Sequence, residues 1–395
     1  MDRVLVPPRP DWQAKAEASG FSFHTIDGKP YWNESAHYAF TLAEIERDIE
    51  DPTLALMEIA YDFVDAACSD EEILASLAIP KDWWASIRQS WLRPDRDLYC
   101  RMDFSYDGKS PAKLLEINAD TPTALFEASY FQWVWLEEAL AHNVIPKGSD
   151  QFNSIQEGLI AAFGQLLPPG QKRLHLASVA DHAEDRGTIA YLADCASQAG
   201  LTTTILDIEE IGVDADGRLT DLEDRVIAAL FKLYPWEFMI AEEFGHYLQT
   251  PLAPRIIEPC WKMILSNKGA LPWLWRRHKG HPNLLPAWFE GDAKADPGPR
   301  HVIKPLLSRE GANILLIDSA LPGGRLETSG PYGTSKKIIQ DYAPLPFWSD
   351  DKGREHHAVV GSWLIAGKPR GMGIREDDGP ITSDGARFVP HVILG

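Results

Sequence analysis

A chain of 395 residues is longer than a single compact core usually serves, so one large interlocked enzyme or two to three subdomains are expected. With 45% hydrophobic residues, 24% charged residues, 14 Trp and 15 Phe, the composition is that of a globular protein and excludes disorder as the default. The net charge of −20, from 38 basic and 58 acidic residues, argues against nucleic acid or anionic membrane as a partner, because binding a polyanion requires a clustered basic face. Any anionic ligand must then be met by a few individual Lys and Arg side chains.

The four cysteines, Cys68, Cys100, Cys195 and Cys260, are far apart and show no zinc spacing, which fits buried thiols in a reducing compartment. The first residues, MDRVLVPPRPDWQAK, carry no apolar leader, and no apolar run approaches bilayer length. A cytoplasmic protein is expected.

In chain order, residues 36–76 and 122–142 show apolar side chains at helical spacing, Leu42, Ile45 and Ile49 in the first, Phe126, Tyr130 and Trp133 in the second. Between them, residues 98–118 alternate like a β-hairpin with its turn at Gly108–Pro111. The two-residue period puts Arg101, Asp103 and Ser105 on one face of the first strand, and Leu114, Glu116 and Asn118 on one face of the second. From about 150 to 250 the pattern becomes strand, helix, strand, as in a small α/β unit with a mainly parallel sheet. Residues 256–280 return to helix around SNKGALPWLWRRH. Short strands joined by glycine turns follow beyond 300, and HAVVGSWLI with RGMGIRE forms a final hairpin.

Asp103, Glu116 and Asn118 are oxygen donors of the kind that hold magnesium beside phosphate, although the same pattern also fits an exposed acidic sheet face. Lys304 lies in an otherwise apolar strand, where an ammonium wants an anion. Lys268 precedes Gly269, which would allow close approach to a ligand; a helix-terminal lysine is the plainer explanation. The loop Ser308-Arg309-Glu310-Gly311-Ala312-Asn313 could turn backbone N–H groups toward a polyphosphate or be an ordinary hairpin turn. Arg375 shares a face with Gly373 and could reach a transferred phosphoryl group, or lie at the surface. His356-His357 has no third ligand nearby and is taken as structural.

Taken together, YWNESAHYAFT, RMDFSYDGKSPAKLLEINADTPTALFEAS, KLYPWE, SNKGALPWLW, KPLLSREGAN and GMGIRE resemble the glutathionylspermidine synthase family over nearly the whole chain. The resemblance implies a mixed α+β and α/β architecture, a circularly permuted ATP-grasp fold of the glutathione synthetase type. Residues 1–150 would form an N-terminal ATP-grasp portion with the metal-binding hairpin, 151–255 an inserted α/β pre-ATP-grasp unit, and 256–395 a C-terminal portion with a phosphate lid. ATP and Mg2+ are the implied cofactors. Asp103, Glu116 and Asn118 would hold the metal. Arg101, Lys268, Lys304, Gln340, Arg375 and the loop Ser308, Arg309, Glu310, Gly311, Ala312 and Asn313 would bind ATP, with Arg101 and Arg375 catalytic. Thr121, Thr123, Glu184 and Asp185 would contact small-molecule substrates.

The implied reaction joins a carboxylic acid to an amine through an acyl phosphate. Phe238 stands where the resemblance implies a threonine, exchanging a hydrogen-bonding group for bulk and counting against glutathione as the acid. The resemblance starts within the first few dozen residues, so no amidase domain is expected. Two rival readings are a nucleotide-binding module without turnover and an ATP-dependent small-molecule kinase. The acid, the amine and the oligomeric state stay open.

Overall fold

The computed structural model describes residues 1–26, 28–93 and 95–395. Strand β1 (Asp2–Leu5) pairs antiparallel with β2 (Ala36–Thr41). The helical stretch expected over 36–76 therefore begins late. Residues 36–41 are extended because β2 lies between β1 and the C-terminal strand, a pairing across more than 300 residues that local spacing cannot reveal. Thr41 then caps the helix that follows: its Oγ1 accepts from Glu44 N at 3.2 Å, and Thr41 N donates to the Glu44 carboxylate at 2.8 Å. A π-helical segment, Ile45–Glu50, leads into α1 (Asp51–Ser69).

The predicted hairpin is present as β3 (Tyr99–Ser105) and β4 (Lys113–Asn118). After it, the π-helical turn Glu127–Phe131 runs into α2 (Gln132–Ala141). Helix α3 (Ile155–Leu166) opens the α/β unit, followed by β5 (Arg173–Ser178), α4 (Ala183–Gln198), β6 (Thr202–Asp207), β7 (Ala229–Leu233) and β8 (Arg255–Ile257). Its sheet has the order β8–β7–β5–β6 and is parallel throughout. Because β8 belongs to it, the sheet extends two residues past the boundary expected at 255.

Helix α5 (Ala270–Arg277) is shorter than the stretch expected over 256–280. Gly269 sits at its N-terminus, so Lys268 enters the helix rather than ending it. A Cβ on Gly269 would lie 2.7 Å from Leu77 Cδ2, so packing of the chain explains this glycine. Beyond it, β9 (Ala287–Phe289), β10 (His301–Pro305), β11 (Leu315–Ile317), β12 (Arg325–Glu327) and β13 (Lys337–Asp341) form an antiparallel sheet in the order β9–β13–β10–β11–β12. The last strands are β14 (Glu355–Ile365), β15 (Lys368–Asp377), β16 (Arg387–Val389) and β17 (His391–Leu394).

Strands from both ends of the chain share one sheet, β16–β15–β14–β3–β4, with the short strand Phe347–Ser349 also pairing with β14. Strand β17 runs parallel to β2. One face of the large sheet, carrying Met102 and Phe104, packs on Ile49, Leu56 and Phe63 of the first helical layer. At the other face, Tyr99 and Trp363 join a second core with Leu159 of α3 and Leu192 of α4. Arg101 and Asp103 on that face are left to line a cavity. Among the described residues no helix is long and apolar enough to cross a membrane.

Candidate active site between two antiparallel sheets

The cavity, about 210 Å3, opens between the β3–β4 hairpin and the β10–β13 sheet. The hairpin register pairs Arg101 with Asn118 and Asp103 with Glu116, then shifts, so that Phe104 pairs with Leu114. Leu115 is the extra residue of this bulge. The bulge corrects the expectation that Leu114 shares a face with Glu116 and Asn118. Leu114 turns into the core, and Leu115 lines the cavity. It also aims the Leu115 carbonyl at Lys304, whose Nζ donates to it at 3.1 Å.

Asn118 lies within hydrogen-bonding distance of both carboxylates. Asn118 Nδ2 donates to Asp103 Oδ2 at 2.9 Å and to Glu116 Oε1 at 3.3 Å. Arg101 grips Asp103 with a two-pronged contact, Nε to Oδ1 at 2.6 Å and Nη2 to Oδ2 at 2.9 Å, and donates to Thr123 O at 2.6 Å. Its guanidinium lies across the sheet because Gly361 is bare: a Cβ there would sit 2.7 Å from Arg101 Cδ. Lys268 Nζ reaches Glu116 Oε2 at 3.0 Å and Ser308 O at 2.5 Å. Lys304 also donates to Gln340 Oε1 at 2.9 Å.

Burial would raise the Glu116 carboxyl, but the Lys268 and Lys304 ammonium groups outweigh it and hold it at about 2. Asp103 is pushed above its ordinary value by burial, against the pull of Arg101. Burial, helped by repulsion from Lys268, brings Lys304 down to about 8 despite the attraction of Glu116. Lys304 is thus a buried cation without a carboxylate in contact among the described residues, the environment in which a phosphate would be favourable.

A magnesium ion fits this donor set. Two carboxylates and an amide are hard ligands held on adjacent strands; the Asn118 side chain, whose NH2 now faces the carboxylates, would turn to present its oxygen, and the ion's remaining positions would suit phosphate oxygens and water. Among the described residues there is no cluster of three or more His, Cys, Asp and Glu suited to a metal, so the third protein ligand would be the Asn118 side chain. His356 is buried beside Glu376, with Nδ1 3.1 Å from Glu376 Oε1, away from this donor set.

The loop 308–313 closes one side. Ser308, Arg309, Glu310 and Gly311 line the cavity, whereas Asn313 accepts from Tyr332 N at 2.7 Å and Ala312 lies against Gly330. Glu310, Gly311 and Asn313 all take positive φ, 52°, 68° and 55°. Arg309 bridges to the α/β unit, donating to Thr121 Oγ1 at 2.7 Å and Glu237 Oε1 at 2.6 Å. Phe238 is 41% exposed beside Tyr234 and is not part of the cavity wall.

The carboxyl ends of the parallel strands point toward the segment after β4. Asp120 pairs with the buried Lys232 of β7 and accepts from Trp236 N at 2.9 Å. Glu184, in the first turn of α4, accepts from Ala124 N at 3.2 Å. Asp185 instead pairs with His182, 3.4 Å away. Beyond Arg375 lies a buried acidic cluster that sequence reasoning missed. The Arg375 guanidinium stacks on Tyr31 at 5.7 Å, and the Tyr31 hydroxyl donates to Glu127 Oε1 at 2.5 Å. Glu127 is fully buried, and its Oε2 has no partner among the described residues. Burial and the nearby Glu184 push its carboxyl up to about 8. A carboxylate in the apolar run ALFEASYF was the available signal.

This carboxyl sets a pH dependence. A group raised from 4.5 in the unfolded chain to about 8 when folded contributes stability that is complete below 4.5 and lost as pH rises to 8. Glu127→Gln, which keeps a neutral side chain at every pH, is expected to flatten the decline in thermal unfolding midpoint between pH 5 and pH 8. An unchanged pH profile in the variant would contradict this.

The model of the family described as "Glutathionylspermidine synthase preATP-grasp" matches residues 3–394. The chain belongs to the glutathionylspermidine synthase family. A Haemophilus influenzae protein named "Putative acid–amine ligase" is 39% identical over the full length of both chains. The bifunctional glutathionylspermidine synthetase/amidase of Escherichia coli is 27% identical, covering 92% of this chain and 60% of its own length. Trypanothione synthetase of Crithidia fasciculata is also 27% identical, over 80% of this chain and 50% of its own. The chain therefore spans only half to three-fifths of these last two relatives. A glutathione synthetase-like effector from Globodera pallida, solved in its apo form, shares the fold with a TM-score of 0.62 at 12% identity, over 99% of this chain and 100% of that one. All three of these sequence relatives bear names of ligases or synthetases, enzymes that form C–N bonds.

Proposed function

We propose that this member of the glutathionylspermidine synthase family is an ATP- and magnesium-dependent ligase that joins a carboxylic acid to an amine, on an ATP-grasp fold with an inserted α/β unit. The observation that carries the reading is the meeting of Asp103, Glu116 and Asn118 with Lys268 and Lys304 on one cavity between two antiparallel sheets. ATP would lie between the sheets, its phosphates toward Lys268, Lys304 and the 308–311 loop. Magnesium held by Asp103, Glu116 and Asn118 would supply charge neutralisation on those phosphates.

The acid's carboxylate oxygen attacks the γ-phosphorus, forming an O–P bond as the bond to ADP breaks. The amine nitrogen then attacks the acyl carbon; phosphate leaves with the C–O electron pair and the nitrogen loses a proton. Arg101 and Arg375 flank the reacting group and stabilise its anionic oxygens. The acid lies by Thr121 and Thr123. The amine approaches from the side of Glu127 and Glu184 as the free base that can attack, burial raising both carboxyls toward the neutral form and favouring an uncharged amine there. Closure of the 308–313 loop keeps water from the acyl phosphate.

The test is a screen of acid and amine pairs with ATP and magnesium, reading ADP release and condensed product by mass spectrometry. ADP release that requires both acid and amine supports a ligase. Release that requires only an acceptor and leaves a phosphorylated product would establish a kinase instead, and nucleotide binding without turnover across the screen would favour an inactive module.

A further inference from the structure

The segment between β15 and β16 forms a second wall of the cavity, with Pro380, Ile381, Thr382 and Ser383 lining it. Asp377 shapes this wall, its Oδ2 accepting from Ser383 N at 2.8 Å and Ser383 Oγ at 2.7 Å. Arg375 braces it with long contacts from Nη2 to Ser383 O and Asp384 O, each 3.4 Å. On its other side it abuts the 308–313 loop so closely that a Cβ on Gly311 would lie 2.5 Å from the Thr382 carbonyl oxygen. Thr382 therefore stands where the phosphate loop and the Arg375 strand meet.

Several hydroxyls around this cavity are already engaged. Ser308 Oγ donates to Pro305 O at 3.4 Å, Thr121 Oγ1 accepts from Arg309, and Ser383 Oγ is bound to Asp377. The Thr382 hydroxyl is shielded from solvent and has no partner among the described residues. The Nε groups of Arg309 and Arg375 are in the same condition. A buried donor left unmade is unfavourable, and all three belong to residues lining one cavity, where a small rotation of each would present it to a ligand that accepts several hydrogen bonds. A tetrahedral phosphate offers such acceptors; an amine does not.

Resting on the ligase reading, we infer that the Thr382 hydroxyl donates to an oxygen of the phosphate that the reaction transfers and then releases, completing a receptor with Arg309 and Arg375. Thr382 is then a substrate-contacting residue supplied by the β15–β16 segment.

Because the acid and amine are not needed to form the complex of enzyme, MgADP and inorganic phosphate, that complex provides the test. Phosphate affinity is measured by calorimetry at saturating MgADP for the wild type, Thr382→Val and Thr382→Ser. Valine keeps the shape and removes the hydroxyl, and is expected to weaken phosphate about tenfold; serine keeps the hydroxyl and should stay within about twofold of wild type. MgADP affinity should be the same in all three. Wild-type phosphate affinity in Thr382→Val, or a serine variant as weak as valine, overturns the inference, as does a wild-type MgADP complex that binds no phosphate. Failure of the wild type to bind MgADP at all would remove the ligase reading and this inference with it.

Discussion

Asp103→Asn is expected to reduce ATP turnover by about 10³-fold while the protein remains folded. Asparagine has the same size but no charge, so the metal loses one of two protein carboxylates. It also has a single acceptor oxygen, whereas Asp103 now receives two bonds from Arg101 and one from Asn118. The introduced NH2 group would face other donors, and Arg101 would lose the grip that holds it over Gly361. Leaving a buried arginine without its carboxylate costs about 3 kcal/mol of stability, partly offset by the Thr123 carbonyl that Arg101 retains. ADP release and thermal unfolding on one preparation check both parts. Near-normal turnover would remove Asp103 from the site.

Lys304→Met is expected to lower activity with little change in stability. Turnover should fall by about 10²–10³-fold, because a buried cation that meets phosphate is lost. Stability is subject to two opposing effects. The folded protein holds Lys304 near 8, below its ordinary 10.5, so at pH 7 the structure bears the cost of an ammonium buried beside Lys268. The sign follows from proton binding: between 8 and 10.5 the unfolded chain binds more protons, so wild-type stability rises with pH across that window. Methionine keeps the volume and removes that cost, but it leaves the Leu115 and Gln340 oxygens without their donor and Glu116 without one of its two lysine cations, so a net change within about 1 kcal/mol of zero at pH 7 is expected from denaturant unfolding. A loss of stability together with wild-type ATP affinity would show that Lys304 is a structural lysine.

Paired with Glu127→Gln and Thr382→Val, these substitutions probe distinct parts of the cavity and the buried acidic cluster behind it. Asp103 tests the proposed metal side, Lys304 the proposed nucleotide side, Thr382 the proposed contact to the transferred phosphate and Glu127 the buried acidic cluster.

Much of this arrangement was legible in the residues. Alternation in RMDFS and LLEIN predicted the β3–β4 hairpin, because a strand presents every second side chain to one face whatever surrounds it. The α/β unit was readable for the same reason, since its strands and helices carry their own periodicity. The bulge at Leu115 was not. Leu114 and Leu115 are both apolar, so hydropathy cannot tell which one faces the core, and only pairing with Phe104 decides it. The extended state of residues 36–41 was hidden likewise, because their partners are the two ends of the chain.

By itself, then, the sequence determined the local elements, the acidic overall charge and the oxygen and ammonium groups available for chemistry. Only the tertiary structure decided which of those groups meet. It set Lys304 against the bulge carbonyl, laid Arg101 across a bare glycine, and buried Glu127 beside Tyr31 and Arg375. It also brought the Thr382 backbone carbonyl against Gly311 of the 308–313 loop, with the Thr382 hydroxyl left without a partner among the described residues. The physical reason is that strand order and burial are long-range properties: a side chain's neighbours across a sheet or cavity come from segments hundreds of residues away, and no period within one segment encodes them.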